Sequence, residues 1–536
     1  AHRDLHSFPT RRSSDLVLTL DPPLAAGASH TLALAVTDCA TPANPLNLSG
    51  FAFTPALPLP VPGTLLRPAP EPPGPSSRRS CLAVTEINHS PATRGDGRDI
   101  RFVEIYNANP YPLEIGGFRF SGAFDYTVPP GTVLAANAYL AVAPAPADVA
   151  AVYGIGNVIG GFAAAAFDGS SEITVNDEIG AWITTVAYSD DPPWPVAADG
   201  SGHTLVLARP SYGEREADGW AASARRGGSP GTAEPARDTT YDGIVLNEVL
   251  THAGATPGFV ELYNASSVTV SLAGCVLKRG NPDSAGYTIP AGTVLASRGF
   301  FAADETVLGF KLNGTGGRLW LFAPESAGGF AIDATRLANQ EAGVAFGRTP
   351  DGAALWNRLE SPTPAAANAS RRAAEVVLNE IMYHPISDKR DDEYVELHNP
   401  GAEPVDLTGW RLGGSNIAYD FTETIPAGGY LIVPRSRSKL AQLYPDRVGQ
   451  MTTGGFSGAL ANSRDTVTLS RPAWVMNTDD PASPVLEQKR VVIETVTYRD
   501  GGEWGALADG VGSSLERIDP RTDPQPARSR AARDET

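Results

Sequence analysis

Cysteine and histidine are scarce in this sequence, with 3 Cys and 8 His among 536 residues. The cysteines, Cys39, Cys81 and Cys275, lie far apart, which excludes the framework of a small disulfide-stabilised domain. No C-x-x-C pair, H-E-x-x-H helix or Walker phosphate-binding loop is present. The sequence therefore lacks the common signatures of thiol redox enzymes, zinc proteases and P-loop nucleotide hydrolases.

Positive charge is also scarce, because 42 Lys and Arg stand against 60 Asp and Glu and give a formal net charge of −18. A surface of this sign repels phosphate backbones, so nucleic acid is not expected as a partner. No apolar run approaches the ~20 residues of a membrane helix, and we expect no membrane span. Much Arg, Ala, Pro and Gly with little Lys indicates a GC-rich bacterial genome.

Glycine and proline are abundant, at 55 and 46 residues, while long helical patterns are missing. Short alternating strands separated by Gly, Pro and Asn turns predict an all-β fold of sandwiches. A chain of this length is too long to fold around a single hydrophobic core, and we expect three or four domains.

From Cys81 onward the chain repeats one set of motifs three times. The first strand reads LAVTEI, IVLNEV and VVLNEI, the second RFVEIYN, GFVELYN and EYVELHN, and the third motif LEIGGFRF, VSLAGCVL and VDLTGWRL. The distance from the second-strand glutamate to the glycine of the third motif is 13 residues in each copy: Glu104 to Gly117, Glu261 to Gly274 and Glu396 to Gly409. Fixed spacing inside paired strands predicts one shared framework.

In this order the motifs resemble the bacterial lamin tail domain, most closely in the third copy with YVELHNP, VDLTGWRL and TIPAGGYLIV. The resemblance implies an immunoglobulin-like β-sandwich and an accessory or interaction module, although a fold alone does not transfer a role. The family's closing Ser-Pro-Gly-x-x-Asn-like segment corresponds to SPGTAE at 229–234 and SPTPAAAN at 361–368. The third copy shows none before Thr536, so we expect it to be truncated.

The domain organisation follows from these repeats. We expect tandem immunoglobulin-like β-sandwiches joined by Pro-rich linkers. Residues 1–16 read like a translated sequencing adapter and are excluded from fold reasoning. The remaining segments are a partial immunoglobulin-like domain at 17–54, a Pro-rich linker at 55–80, and lamin tail-like domains at 81–235, 240–369 and 374–536.

Each repeat carries one glutamate on each of its first two strands: Glu86 and Glu104, Glu248 and Glu261, Glu380 and Glu396. Three copies of one arrangement argue against chemistry, and we interpret these side chains as framework carboxylates that accept hydrogen bonds. No catalytic or cofactor-binding residue is predicted. Asn107, Asn264 and Asn399 end the second strand, where we interpret them as turn residues.

Two further groups of residues are candidates for ligand contact. Asp96 and Asp99, and likewise Asp391 and Asp392, lie in the loop after the first strand, where carboxylates can hold Ca²⁺. Neither loop has EF-hand spacing, so solvated loop charge is the alternative. Trp194 and Trp504 adjoin Pro or Gly in loops and are candidate platforms for a sugar, with core packing as the alternative.

These features predict a non-catalytic, secreted or cell-surface structural or adhesive protein with protein or polysaccharide partners. The alternative is an accessory region of a larger secreted enzyme, in which the repeats bind substrate or position a catalytic domain missing from this fragment. Glycan binding by the repeats themselves is a third hypothesis.

Overall fold

The computed structural model describes residues 30–37, 45–53, 71–74, 82–163, 167, 169–190, 193–252, 256–500, 504–520 and 530–534. The chain divides into two compact units, residues 1–63 and 64–536. In the first unit, β1 (His30–Thr37) and β2 (Pro45–Phe53) form an antiparallel pair. The segment 1–16 lies outside the described residues, as do 55–80 apart from 71–74 and the rest of the predicted partial domain 17–54.

The second unit begins with sandwich 1, which occupies residues 82–222. One sheet has the order β10-β9-β4-β3-β13-β14 and the other the order β12-β11-β6-β7. Its elements are β3 (Leu82–Asn88), β4 (Phe102–Asn107), β5 (Leu113–Glu114), β6 (Arg119–Gly122), β7 (Tyr126–Thr127), β8 (Val133–Leu134), β9 (Tyr139–Ala143), α1 (Pro146–Tyr153), β10 (Val158–Gly160), β11 (Ser171–Asn176), β12 (Trp182–Tyr188), β13 (Leu205–Leu207) and β14 (Trp220–Ala222).

Sandwich 2 occupies residues 244–358, with sheets ordered β21-β16-β15-β24-β25 and β19-β18-β22-β23. Its elements are β15 (Ile244–Leu250), β16 (Phe259–Asn264), β17 (Val270–Ser271), β18 (Val276–Arg279), β19 (Tyr287–Thr288), β20 (Val294–Leu295), β21 (Phe300–Asp304), α2 (Glu305–Leu308), β22 (Gly317–Phe322), β23 (Ala331–Leu337), β24 (Phe346–Arg348) and β25 (Trp356–Arg358).

Sandwich 3 occupies residues 377–534, with sheets ordered β32-β27-β26-β36-β37 and β33-β30-β29-β34-β35. Its elements are β26 (Val377–Met382), β27 (Tyr394–His398), β28 (Val405–Asp406), β29 (Arg411–Gly414), β30 (Ile417–Asp420), β31 (Thr424–Ile425), β32 (Tyr430–Pro434), α3 (Arg437–Leu443), β33 (Ser457–Gly458), β34 (Arg464–Asn477), β35 (Val485–Arg499), β36 (Ser513–Arg517) and β37 (Arg530–Asp534). Five strands of the first sheet follow the same order in all three sandwiches, namely β9-β4-β3-β13-β14, β21-β16-β15-β24-β25 and β32-β27-β26-β36-β37. Four strands of the second sheet also share one order, namely β7-β6-β11-β12, β19-β18-β22-β23 and β30-β29-β34-β35.

The predicted all-β fold of immunoglobulin-like sandwiches is confirmed. The alternation in FVEIYN explains how β4 covers two surfaces at once. Val103 and Ile105 pack between the sheets of sandwich 1, whereas Phe102 packs on the opposite face with Val149 of α1. The outer face of this sheet, next to Glu104, is therefore covered rather than solvated.

Sandwich 1 packs directly against sandwich 2. Trp320 of β22 is fully buried in an apolar cluster with Val196 and Ala222 of sandwich 1. Nε of Arg318 donates to a carboxylate oxygen of Asp199 at 2.7 Å beside this cluster. Burying apolar area of this kind stabilises association at roughly 25 cal/mol per Å².

The long hairpin of β34 and β35 joins sandwich 3 to sandwich 2. The amide of Gly314 donates to the carbonyl of Met476 at 2.7 Å, and the amide of Ala342 donates to the carbonyl of Trp474 at 2.8 Å. These bonds extend the hairpin's hydrogen bonding into the neighbouring sandwich. Within the described residues, no helix is long and apolar enough to cross a membrane.

Candidate functional site: opposed glutamates and their closing segments

Each sandwich places two glutamates directly opposite each other on its first two antiparallel strands. The register pairs are Glu86 with Glu104 (pair 1), Glu248 with Glu261 (pair 2) and Glu380 with Glu396 (pair 3). Opposite residues in an antiparallel ladder share one face of the sheet, so the two carboxyl groups are neighbours. In each copy a β-bulge lies immediately before the first glutamate.

The bulged residue supplies a side-chain donor to the second glutamate. Nδ2 of Asn247 donates to Oε1 of Glu261 at 3.0 Å, and Nδ2 of Asn379 donates to Oε1 of Glu396 at 2.8 Å. In sandwich 1 the hydroxyl of Thr85 takes this role at 2.7 Å from Oε1 of Glu104. Oε1 of the second glutamate is thus occupied in all three sandwiches.

Sandwich 1 covers its glutamates with closing segment 1, residues 229–231. The amide of Ser229 donates to Oε1 of Glu86 at 3.1 Å, and the amide of Gly231 donates to Oε2 of Glu104 at 2.7 Å. The residue between them, Pro230, has no amide hydrogen, so the segment presents two donors separated by a non-donor. One short stretch of backbone therefore serves both carboxyl groups.

Sandwich 2 repeats this arrangement with closing segment 2, residues 363–365. The amide of Thr363 donates to Oε1 of Glu248 at 3.0 Å, and the amide of Ala365 donates to Oε2 of Glu261 at 2.7 Å. Pro364 again separates the two donors. The two segments align as Ser-Pro-Gly and Thr-Pro-Ala. In both, the amide of the third residue donates to Oε2 of the second glutamate of the pair.

Burial makes these carboxyl groups hard to ionise. Glu86 and Glu104 are 2% exposed, and Glu248 and Glu261 are fully buried. Loss of hydration raises the pKa of Glu104 to about 8 and that of Glu261 to about 7. Burial also raises the pKa of Glu86 well above its usual range, and the nearby Glu104 carboxyl adds to that effect.

Pair 3 differs because no closing segment covers it within the described residues of sandwich 3. Glu380 and Glu396 are both partly exposed. The Tyr394 hydroxyl donates to Oε1 of Glu380 at 2.6 Å, but no described residue donates a hydrogen bond to Oε2 of Glu396. Desolvation still raises the pKa of Glu396 to about 7.

Three asparagines stand beside the glutamate pairs as hydrogen-bond hubs. Nδ2 of Asn264 donates to the carbonyls of Val268, Leu295 and Ala296 at 2.7, 3.0 and 3.0 Å, while its Oδ1 accepts from the amide of Ser266 at 2.9 Å. Asn107 and Asn399 make the corresponding four contacts. These side chains do more than end a strand, because they join the second strand to the turn before β9, β21 or β32.

A second set of buried carboxylates was not predicted. Asp333 accepts from the amide of Leu246 at 2.9 Å and pairs with Arg348 at 2.9 Å. Glu494 accepts from the amide of Leu378 and pairs with Arg517 at 2.6 Å, both side chains being fully buried. Each ties the bulged first strand of one sheet to a carboxylate carried by the other sheet.

Sandwich 1 reaches the same contact by another route. The amide of Val84 donates to Glu214 at 2.7 Å, and Glu214 also accepts from the hydroxyl of Thr184. Residues 184–207 (TTVAYSDDPPWPVAADGSGHTLVL) and 494–517 (ETVTYRDGGEWGALADGVGSSLER) align without gaps, which places Thr184 on Glu494. The first copy therefore has Thr184 where the third copy has the buried carboxylate Glu494, and the distant Glu214 takes over that contact. This difference between the copies was the only trace of the carboxylate that their sequences offered.

The calcium candidates are engaged by basic or hydroxyl partners. Asp96 pairs with Arg94 at 2.6 Å, which lowers the pKa of Asp96 to about 2, and Asp99 pairs with Arg101 at 2.7 Å. Asp391 lies 3.8 Å from Arg435, and Asp392 accepts from Ser387 at 2.5 Å. In the described ranges, no three His, Cys, Asp or Glu side chains converge in a way that could hold a metal ion.

The tryptophan candidates occupy different environments. Trp194 is only 2% exposed and packs against Trp220 with ring centroids 5.8 Å apart, in the core of sandwich 1. This burial leaves no face of Trp194 for a sugar to stack on. Trp504 is partly exposed and packs at the margin of the core of sandwich 3.

One serine has the G-x-S-x-G spacing of a nucleophile elbow, in GGSPG at residues 227–231. That motif needs a strand-to-helix turn, but Ser229 lies in closing segment 1, outside any strand or helix. Its hydroxyl donates to Glu234 at 2.7 Å. The surroundings of Ser229 therefore do not form a hydrolase site.

The lamin tail domain family matches residues 369–500, which correspond to most of sandwich 3 including the β34–β35 hairpin. This match supports the immunoglobulin-like family predicted for that part of the chain. No curated protein matches the sequence.

Proposed function

We propose that the chain is a bacterial, non-catalytic interaction scaffold, secreted or displayed on the cell surface, with three lamin tail-like domains at 81–235, 240–369 and 374–536. The observation that carries the proposal is the threefold recurrence of one framework. Only the third copy lies in the family match. The first two share its sheet order, its bulge before an opposed glutamate and its asparagine hub.

The packing between sandwiches supports a scaffold rather than a flexible string of domains. Residues 64–536 form one compact unit, with Trp320 buried between sandwich 1 and sandwich 2. Asn313 donates to Asp479 at 2.8 Å, joining sandwich 2 to the tip of the long hairpin. Such contacts favour fixed spacing between the loops that face protein or polysaccharide partners.

The surroundings of the carboxyl pairs support a non-catalytic role. A glycosidase needs two carboxyl groups that reach a substrate in an open cleft. Closing segments 1 and 2 occupy that position over pairs 1 and 2, whose side chains are at most 2% exposed. These four groups accept intramolecular hydrogen bonds instead.

A turnover assay on the 536-residue chain tests the non-catalytic role. The chain is incubated with ester, phosphodiester and glycoside substrates, alongside a variant that carries both Glu380→Gln and Glu396→Gln. We expect no turnover above buffer for either protein. Turnover by the wild type that the double substitution abolishes would overturn the proposal.

Labelling of intact source cells with a membrane-impermeant biotin reagent tests the location, with labelling of this protein expected.

A further inference from the structure

We propose that the cleft between sandwich 2 and sandwich 3 binds a hydroxylated carboxylate of the size of one sugar ring, such as a uronic acid unit of an acidic polysaccharide. This interface cleft has a volume of about 260 Å³ and is lined by residues 338–341, 344–346, 356–358, 371–372 and 491–495. The site narrows the proposed partners to one chemical class. Only that step rests on the proposed function, because binding of the free sugar acid is measured directly.

The lining of the interface cleft carries more positive than negative charge. It contains three arginines and two glutamates, namely Arg358, Arg371, Arg372, Glu341 and Glu494. Glu494 is already paired with the fully buried Arg517 at 2.6 Å. Glu341 is paired with Arg471 at 3.0 Å, and Arg471 also lies 3.2 Å from Glu375. With these partners included, five arginines face three glutamates, in a chain whose formal net charge is −18. This local excess of positive charge favours an anionic ligand.

Arg372 is the guanidinium that a ligand can pair with. Its backbone amide donates to the carbonyl of Arg358 at 2.7 Å, but its side chain makes no hydrogen bond or ion pair within the described ranges. Burial lowers the pKa of Arg358, and the like charges of Arg471 and Arg372 add to that effect. A carboxylate bound to Arg372 would offset this repulsion and would fit the planar guanidinium through two hydrogen bonds.

Gln340 indicates that the ligand carries hydroxyl groups besides its charge. The side chain lines the interface cleft and is 7% exposed, and its amide nitrogen and oxygen have no hydrogen-bond partner among the residues described. Buried polar groups are ordinarily satisfied. An ionised carboxylate offers acceptors only and cannot serve the amide oxygen, whereas a hydroxyl both donates and accepts.

The remaining side of the interface cleft is apolar and limits the size of the ligand. Phe346 and Trp356 stack with ring centroids 5.5 Å apart, and Val491 lines the cleft with them. The volume is slightly below the roughly 300–1,000 Å³ of sites for drug-sized ligands, so it suits a single ring. A polyphosphate or nucleic acid would carry more negative charge than this lining offsets.

Saturation-transfer NMR titration of the 536-residue chain with D-glucuronate tests the proposal. D-glucuronamide is the matched control, because it keeps the ring and hydroxyl groups but lacks the charge. Inorganic sulfate, added as a competitor, supplies charge without hydroxyl groups. We expect saturable binding of glucuronate, and binding weaker by about tenfold or more for glucuronamide and for sulfate.

Matched variants assign the binding to the interface cleft. Arg372→Gln should lower the affinity for glucuronate about tenfold or more, whereas the exposed Arg298→Gln of sandwich 2 should leave it within about twofold. Because the Arg372 side chain has no ion pair among the described residues, we expect Arg372→Gln to fold as the wild type does. Comparison of glucuronate with glucuronamide on the wild type remains decisive if that variant fails to fold.

Four results would each overturn the proposal: no saturable binding of glucuronate, equal binding of glucuronamide, equal binding of sulfate, or unchanged affinity in folded Arg372→Gln. The turnover and surface-labelling assays of the proposed function use no sugar acid. Failure of this site is therefore distinguishable from failure of that function.

Discussion

Substitution of Gly228 by alanine tests whether the closing segment stabilises sandwich 1. Gly228 immediately precedes closing segment 1 and has a φ of +75°. A Cβ atom at this position would collide with Oε1 of Glu86 and lie 2.8 Å from Cγ2 of Thr204. The substitution therefore displaces the segment from pair 1 as well as straining the backbone.

The expected loss has two parts. A left-handed backbone conformation costs a non-glycine residue roughly 1–2 kcal/mol. Leaving a buried acceptor without its hydrogen bond costs about 1–3 kcal/mol more. Together they predict a fall of about 2–5 kcal/mol in the free energy of unfolding of sandwich 1.

Gly227→Ala is the matched control. Gly227 has a similar φ of +90°, but its added Cβ would lie 3.3 Å from the Tyr153 hydroxyl and touch no glutamate. We expect this variant to lose only the backbone part, about 1–2 kcal/mol. The difference between the variants, about 1–3 kcal/mol, measures the contact with pair 1.

Hydrogen exchange of the β3 and β4 amides is the appropriate assay, because three packed sandwiches need not unfold in a single step. Fluorescence of the buried Trp194 and Trp220 provides a second reporter of the same core. Equal loss of protection in Gly228→Ala and Gly227→Ala would refute the stabilising role of the closing segment.

Three further perturbations follow from the same framework. Folding raises the pKa of Glu104 from 4.5 to about 8, so the protonated carboxyl stabilises the folded state. This stabilisation is fully present below pH 4.5 and is lost as the pH rises to about 8, by up to about 1.4 kcal/mol of unfolding free energy per pH unit. Denaturant titrations at several pH values should show a smaller dependence of the unfolding free energy on pH in Glu104→Gln. Asn264→Ala should cost about 2–4 kcal/mol by removing three carbonyl contacts, against about 0.5 kcal/mol or less for exposed Asn281→Ala, measured by chemical denaturation. Burial raises the pKa of the Cys275 thiol to about 12, so mass-mapped alkylation at pH 8 should modify it only after unfolding.

The repeat in the sequence was sufficient to predict the sandwiches, but not that the two glutamates of each copy lie directly opposite each other. The expectation that the fixed spacing between the second and third motifs lies inside paired strands was wrong, because those motifs form strands of two different sheets, such as β4 and β6. Turn chemistry was also readable, since the glycines of the PAGT and PAGG turns have positive φ, +84° at Gly292 and +62° at Gly428.

The role of the closing segments could not be read from the sequence, although their residues were visible. The amide of Ser229 meets a glutamate 143 positions away, and a local pattern carries no signal for such a contact. The buried carboxylates Asp333 and Glu494 were hidden for a related reason, since the first copy has Thr184 at that position and uses Glu214 instead. Loop composition also could not show whether Trp194 is exposed, because this tryptophan lies between prolines in the sequence and yet packs in the core of sandwich 1.

Packing between the sandwiches was likewise beyond sequence reasoning. Several residues that contact a neighbouring sandwich, such as Trp474 and Met476 of the β34–β35 hairpin and Trp320 of β22, lie outside the repeated motifs. Each interface joins two different surfaces, so the internal repeat offers no second example for comparison.

Small-angle X-ray scattering of the 536-residue chain and of its Trp320→Ala variant tests the scaffold most directly. Trp320 is fully buried between sandwich 1 and sandwich 2, whereas Val294, 62% exposed in sandwich 2, provides the control Val294→Ala. The scaffold predicts equal, compact scattering for the wild type and Val294→Ala, and a larger radius of gyration for Trp320→Ala. A wild type already as extended as Trp320→Ala would contradict it.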